Sequence, residues 1–283
     1  MKQILIQGSG GTIGDVFLSS HPLVNYLKEK EKEKEKEKEE KEEIIELYAA
    51  IPTNIPDSIK DIYSRQKLLT NVFEIESVHE DVFLPFCKTN NFTPCLFLKS
   101  WQFYKNIRYQ ELSSWFDKPS EPTLSNDNII IVHVTSSSNF NRPKIPHFNK
   151  YIQYIFDAGY TPVLIGTSKD EEYFTCTYPD IREKIPEDMW RFGKDTLPQT
   201  MSNIDISKGV FTFSSWSSIY GALCKKPVLE LWNDEQWLFY NNTIKYLIGS
   251  PITLFQNHYA SCPQYNHFDQ SFKYMLNTGS VCY

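Results

Sequence analysis

Two hydroxyl-rich turns hold the side chains of this chain best suited to gripping a negative charge. The first is Thr135-Ser136-Ser137-Ser138, directly after the apolar run "NIIIVHV", with Arg142 and Lys144 a few residues on. Hydroxyls and loop N–H groups at the end of a strand can form an anion nest. Arginine can then grip the anion as a two-pronged fork, and lysine adds a point charge. The second turn, "SSWSS" (Ser214, Ser215, Ser217 and Ser218 around Trp216), follows "GVFTF" and opens a helix-like stretch. A helix N-terminus offers free N–H groups to the same kind of ligand. Each turn also has a plain alternative, a solvated loop or a ligand-free serine turn.

A glycine cluster at the start of the chain poses a related question. "ILIQGSGGTIGD" places Gly8, Gly10, Gly11 and Gly14 between an apolar run and a helix-like stretch. The dinucleotide fingerprint G-x-G-x-x-G, begun at Gly8, needs glycine where Ile13 stands. The looser pattern of sugar epimerases and short-chain reductases matches Gly8 and Gly14 but departs at Gln7 and Thr12. No Lys-Ser/Thr follows, which excludes a phosphate-binding P-loop. Asp15, next to Gly14, is suited to capping the helix that follows.

Bulk properties narrow the classes. With 283 residues, 41% hydrophobic and 15% aromatic, the chain can bury a substantial core. A formal charge of −6 supplies no net basic field, so nucleic acid is not an expected partner. The six cysteines form no C-x-x-C pair, and the six histidines are isolated, which leaves neither a disulfide framework nor a metal site. The first apolar run is too short for a signal-peptide core and no run approaches a membrane span, so a cytoplasmic protein without a transmembrane segment is expected.

The elements that must position these turns are legible as alternating strand and helix patterns. "QILIQ", "IIELYA" and "VFEIESV" read as strands of a first half, and "NIIIVHV", "TPVLIG", "GVFTFS" and "KPVLELW" as strands of a second. Their continuous apolar character suits strands buried on both faces of a parallel sheet. Between them "HFNKYIQYIFDAGY" aligns Phe148, Ile152, Ile155 and Phe156 on one helical face and stops at Gly159. The expected class is therefore α/β. Residues 1–120 form one expected domain and 128–283 the other, joined by the polar stretch "FDKPSEPTLSNDN". A tail rich in aromatics stands free to pack back on the first domain. The Lys/Glu tract 28–43, seven lysines against nine glutamates, reads as a low-complexity, solvated insert in the first domain.

Taken in order, three blocks resemble the heptosyltransferase-like glycosyltransferases, the ADP-heptose:lipopolysaccharide type of family 9. Gly14-Asp15, Ser19-Ser20, Pro22 and Leu27-Lys28 follow the family's opening. "IIIVHVTSSSNFNRPKIPHFNKYIQYIFDAGYTPVLIGTSKDEEYF" and "LPQTMSNIDISKGVFTFSSWSSIYGALCKKPVLELW" follow two later blocks. The family's turn after the third strand of the second domain carries Asp-Ser-Gly and then His. Here Phe213-Ser214-Ser215-Trp216-Ser217-Ser218 has neither the Asp nor the His.

The resemblance implies a GT-B-like fold, two Rossmann-like parallel-sheet domains facing a cleft. It implies transfer of a sugar from a nucleotide-diphosphate donor to a glycan or other hydroxyl acceptor, inverting and metal-independent, with no cofactor. Asp15 is then the general base, at a loop shaped by Gly11 and Gly14. Thr135, Ser136, Arg142, Lys144, Ser214, Ser215, Ser217 and Ser218 become donor-binding residues, with Glu171 on the donor ribose or simply charging its helix's first turn. Two alternatives stay open: a non-catalytic GT-B-like protein binding nucleotide or glycan, and an NAD(P)-dependent sugar epimerase or reductase.

Overall fold

A computed structural model describes residues 2–8, 13, 16–17, 45–96, 112–135, 145, 147–213, 215–232, 253–257, 270, 272–273 and 275–277. The chain divides into two compact units, Met1–Lys118 and Pro119–Tyr283. The Lys/Glu tract and the residues Gly11, Gly14, Asp15, Ser136, Arg142, Lys144 and Ser214 lie outside the described residues.

The first unit carries strands β1 (Lys2–Gln7), β2 (Ile45–Pro52), β3 (Asn71–Ile75) and β4 (Thr93–Cys95), with helices α1 (Asp57–Ser64) and α2 (Glu80–Thr89). The sheet order is β3-β2-β1-β4, with every pair parallel. Leu5, Ala50, Ile75, Phe83 and Cys87 form the buried cluster between sheet and helix, ringed by Tyr48, Phe73, Phe86 and Phe92. β4 eludes sequence reading because it is three residues long with a proline in the middle.

Gly8 ends β1 against the neighbouring strand. Its N–H donates to the Ala50 carbonyl at 2.8 Å. A Cβ there would stand 2.4 Å from that same oxygen and 2.9 Å from Ile51. This first glycine of the cluster therefore serves a close backbone approach.

The second unit carries β5 (Ile129–His133), β6 (Thr161–Leu164), β7 (Gly209–Phe213), β8 (Val228–Trp232) and β9 (Thr253–Asn257). Its helices are α3 (Phe148–Asp157), α4 (Ser168–Thr177), α5 (Leu197–Ile206) and α6 (Trp216–Leu223). The order is β6-β5-β7-β8-β9, again parallel throughout. All five residues of β5 and of β7 are buried, as expected for central strands covered on both faces. On α3 the buried face is Phe148, Tyr151, Ile152 and Ile155. Phe156, expected on that face, is half-buried, and Tyr151 takes its place by the i, i+3, i+4 spacing. The described part of the tail lies against this helix: Phe272 meets Tyr151, Tyr154 and Phe211.

The polar stretch between the halves is fastened to the second unit rather than hanging free. Ser202 on α5 accepts the Glu121 N–H at 3.0 Å. The fully buried Asn203 accepts from the N–H groups of Thr123 (3.0 Å) and Leu124 (3.3 Å). It donates to Thr123 Oγ1 at 2.9 Å and to Asp195 at 3.2 Å. Every polar atom of that amide is used, so its loss strands partners in a low-dielectric interior. Asn203→Ala is expected to destabilise the protein by about 2–4 kcal/mol, read as a lower midpoint in urea unfolding.

Candidate functional site

Strand order points to where a ligand belongs in the second unit. From β5 the chain moves out to β6, then returns to place β7 on the other side of β5. Open parallel sheets bind ligands at such a reversal, outside the carboxyl ends of the two strands. Here those ends are His133-Val134-Thr135 on β5 and Phe213 to Ser215 on β7, the two hydroxyl-rich turns of the sequence.

Between the strand ends lies a buried polar knot. His133 Nδ1 is 2.9 Å from Ser217 Oγ and 3.3 Å from Ser215 Oγ. Ser215 and Ser217 are 2.8 Å apart, and Thr212 Oγ1 is 2.9 Å from the first and 3.1 Å from the second. Thr212 Oγ1 also lies 2.8 Å from the His133 carbonyl and 2.7 Å from that of Phe213. Only a proton can sit between two oxygens that close, so Thr212 donates to a carbonyl and accepts from the serines. One order that satisfies every contact runs from His133 Nδ1–H to Ser217, from Ser217 to Ser215 and from Ser215 to Thr212. Ser218 donates to the Ser215 carbonyl at 2.7 Å.

This geometry assigns the serines a different part from the one their hydroxyls suggest. The protons of Ser215, Ser217 and Ser218 are all committed within the protein. What the turn can still offer an anion is backbone. Ser215 is the N-cap of α6, yet its hydroxyl makes no cap hydrogen bond. Thr167 and Thr196, by contrast, cap α4 and α5 with complete capping boxes. Among the described residues, the N–H groups of Trp216 and Ser217 meet no acceptor. They are free donors at the positive end of a helix.

Thr135 is fully buried, and its hydroxyl has no partner. A sealed, unpaired hydroxyl costs on the order of 1–3 kcal/mol, so it marks a place where a further polar group fits. Glu171 sits in the first turn of α4, where Trp190 Nε1 donates to its Oε1 at 2.6 Å. One of its carboxylate oxygens is therefore occupied by the fold. A cavity of about 390 Å³ opens at the start of α3, lined by His147, Lys150, Tyr178 and Asp180 among others. His147, Lys150 and Tyr178 each already have a partner. Among the described residues no group of three His, Cys, Asp or Glu is placed to hold a metal, and no helix is long and apolar enough to cross a membrane.

His133 lies inside the apolar run "NIIIVHV", and the structure buries it in β5, 7% exposed. Its partnership with Ser215 and Ser217, 82 and 84 residues away, carried no sequence signal. Burial pulls its pKa down from 6.5 to about 4, with Asp170 opposing the shift. Between these values the unfolded chain binds the proton and the folded one does not. The stabilisation is therefore complete above pH 6.5 and lost as pH falls toward 4. It amounts to about 3 kcal/mol. Urea unfolding from pH 8 to pH 4 should show that decline in the native protein. His133→Asn should lack this part of the slope.

No protein-family model and no curated protein matches the chain. Solved structures do match it. The glycosyl transferase family 9 protein of Veillonella parvula aligns with TM-score 0.58 and 12% identity over 91% of this chain and 86% of its own. The Escherichia coli ADP-heptose LPS heptosyltransferase II aligns with TM-score 0.58 and 14% identity over 97% and 99%. The E. coli heptosyltransferase WaaC, solved with ADP, aligns with TM-score 0.55 and 13% identity over 95% and 98%. At such identity the likeness is one of fold. In fold, this chain is a divergent counterpart of the heptosyltransferase-like, family 9 glycosyltransferases.

Proposed function

We propose that the protein transfers a sugar from a nucleotide-diphosphate donor to a hydroxyl of a glycan or similar acceptor, by a single inverting displacement without a metal. The observation that carries this reading is the open N-terminus of α6 at the strand reversal of the second sheet. It presents free N–H donors where a departing diphosphate would gather charge, in a fold shared with enzymes that handle such donors.

In this scheme the acceptor oxygen attacks the anomeric carbon and its proton passes to the Asp15 carboxylate. The bond from that carbon to the diphosphate breaks, and its electron pair stays on the diphosphate oxygen. A positioned base contributes about 10²–10⁴-fold to such a step. Gly11 and Gly14 shape the loop that carries Asp15. Arg142 and Lys144 clamp the diphosphate together with the N–H groups of Trp216 and Ser217. Thr135 and Ser136 complete the nest, with Thr135 using its orphaned hydroxyl. The Glu171 oxygen not engaged by Trp190 takes the ribose. Ser214 joins the turn through its backbone, as Ser215, Ser217 and Ser218 do.

A second reading, a nucleotide- or glycan-binding protein without turnover, draws on one observation. The turn Phe213–Ser218 lacks the Asp and His that the resembled family carries there.

Melting temperature against millimolar ADP, UDP, GDP, CMP, NAD and NADP, each alone, tests the binding. ADP is the first probe because WaaC was solved with it. A nucleoside diphosphate at ~100 times its Kd should add about 2.7 kcal/mol, roughly 5–10 °C. The shift should vanish in Arg142→Ala/Lys144→Ala. A response to NAD or NADP alone would replace this reading with the epimerase one, and no response to any nucleotide would overturn it. Asp15→Asn should keep the nucleotide shift while turnover with a working donor and acceptor falls about 10²–10⁴-fold. Full turnover in that variant would remove Asp15 from the mechanism.

A further inference from the structure

The N-terminus of α6 is open because its own cap is held away from it, and His133 is the residue that holds it. A serine at an N-cap ordinarily turns its hydroxyl onto the second or third N–H of the helix. Ser215 instead points its Oγ into the knot, toward Thr212 at 2.9 Å, Ser217 at 2.8 Å and His133 Nδ1 at 3.3 Å. The His133 ring joins the knot through its Nδ1, 2.9 Å from Ser217 Oγ. It also lies against Trp216, the first residue of α6, with ring centroids 6.1 Å apart. This ring is more than nine-tenths buried and lies beside the first residue of the helix. Two residues on, Thr135 adds a fully buried hydroxyl that lacks a partner. A buried hydroxyl left unsatisfied at this strand end, beside the helix N–H donors, suits a polar ligand.

We propose that His133 is a positioning residue for the diphosphate of the donor. As the neutral Nδ1–H tautomer it holds Ser217, and through it Ser215, so that the Trp216 and Ser217 N–H groups stay free for phosphate oxygens. Remove the ring nitrogens and the proton chain loses its source. The Ser215 hydroxyl then swings onto the α6 N–H groups as an ordinary cap and competes with the ligand. The helix itself gains a cap, so the expected loss is in binding and not in folding. Phe in place of His keeps the ring volume and the contact with Trp216. Asn keeps a donor near the position of Nδ1–H.

This inference rests on the site taking a nucleoside diphosphate, and one calorimetric series separates the two. The full-length native protein and the variants His133→Phe, His133→Asn and Ser217→Ala are titrated with ADP, UDP, GDP and CDP, and with inorganic pyrophosphate as competitor. His133→Phe should weaken the bound diphosphate about ten-fold, the size of one helix-terminus interaction with an anion. His133→Asn should restore affinity to within about three-fold of native. Pyrophosphate competition should follow the same order. Ser217→Ala breaks the chain one link further on and should match His133→Phe, and it carries the test if the Phe variant does not melt cooperatively. Native binding with an equal affinity in His133→Phe and Ser217→Ala would overturn the positioning role while leaving the functional reading intact. An Asn variant no better than the Phe variant would overturn it too. A native protein that binds none of the four diphosphates would overturn both.

Discussion

The side chains of the second unit's site are arranged around one constraint: two parallel strands, β5 and β7, end side by side with every residue buried. Polar groups carried there are largely cut off from water, so they satisfy one another. His133, Thr212, Ser215 and Ser217 do so in one connected cluster of hydrogen bonds, with Thr212 donating to a backbone carbonyl. The low dielectric that would penalise any one of these groups alone makes the closed set rigid. That rigidity sets the position of the first turn of α6, and hence of the N–H groups that a ligand would meet.

The same physics divides the second unit into a part that holds and a part that is left open. α4 and α5 start with threonine capping boxes, and Asn203 uses its whole amide to tie the inter-unit stretch to α5. Phe148, Phe174, Tyr178, Trp190 and Phe192 pack ring on ring behind the strands. These features leave few donors or acceptors idle. Two of the exceptions lie at the reversal: the α6 N-terminus and the Thr135 hydroxyl. Natural proteins tend to break their own packing rules at functional sites, and these two breaches lie side by side in the fold.

The first unit repeats the layout with different means. Its sheet also reverses, between β1 and β4, and the glycine cluster follows the end of β1. Gly8 lets β1 end against the Ala50 carbonyl, a contact that any side chain would block. A glycine pattern that looked like a cofactor fingerprint thus begins with a residue chosen for backbone proximity.

Read alone, the sequence determined the elements. Seven of the nine strands among the described residues stood out because a strand covered on both faces must be continuously apolar, and the α/β class followed from their alternation with helices. β4 and β9 did not stand out: one is too short to show a pattern, and neither has a distinctive run. The sequence also picked out both hydroxyl-rich turns, since residue type alone shows that a loop can hold an anion. It could not say what each hydroxyl does. Whether Ser215 caps its helix or faces His133 depends on a contact across 82 residues, and only the folding of β5 beside β7 creates it. The same holds for the face of α3, where Tyr151 rather than Phe156 is buried because the sheet lies on that side. Local pattern depends on a residue and its near neighbours. The direction of a proton within a buried cluster depends on every group that tertiary structure brings into reach.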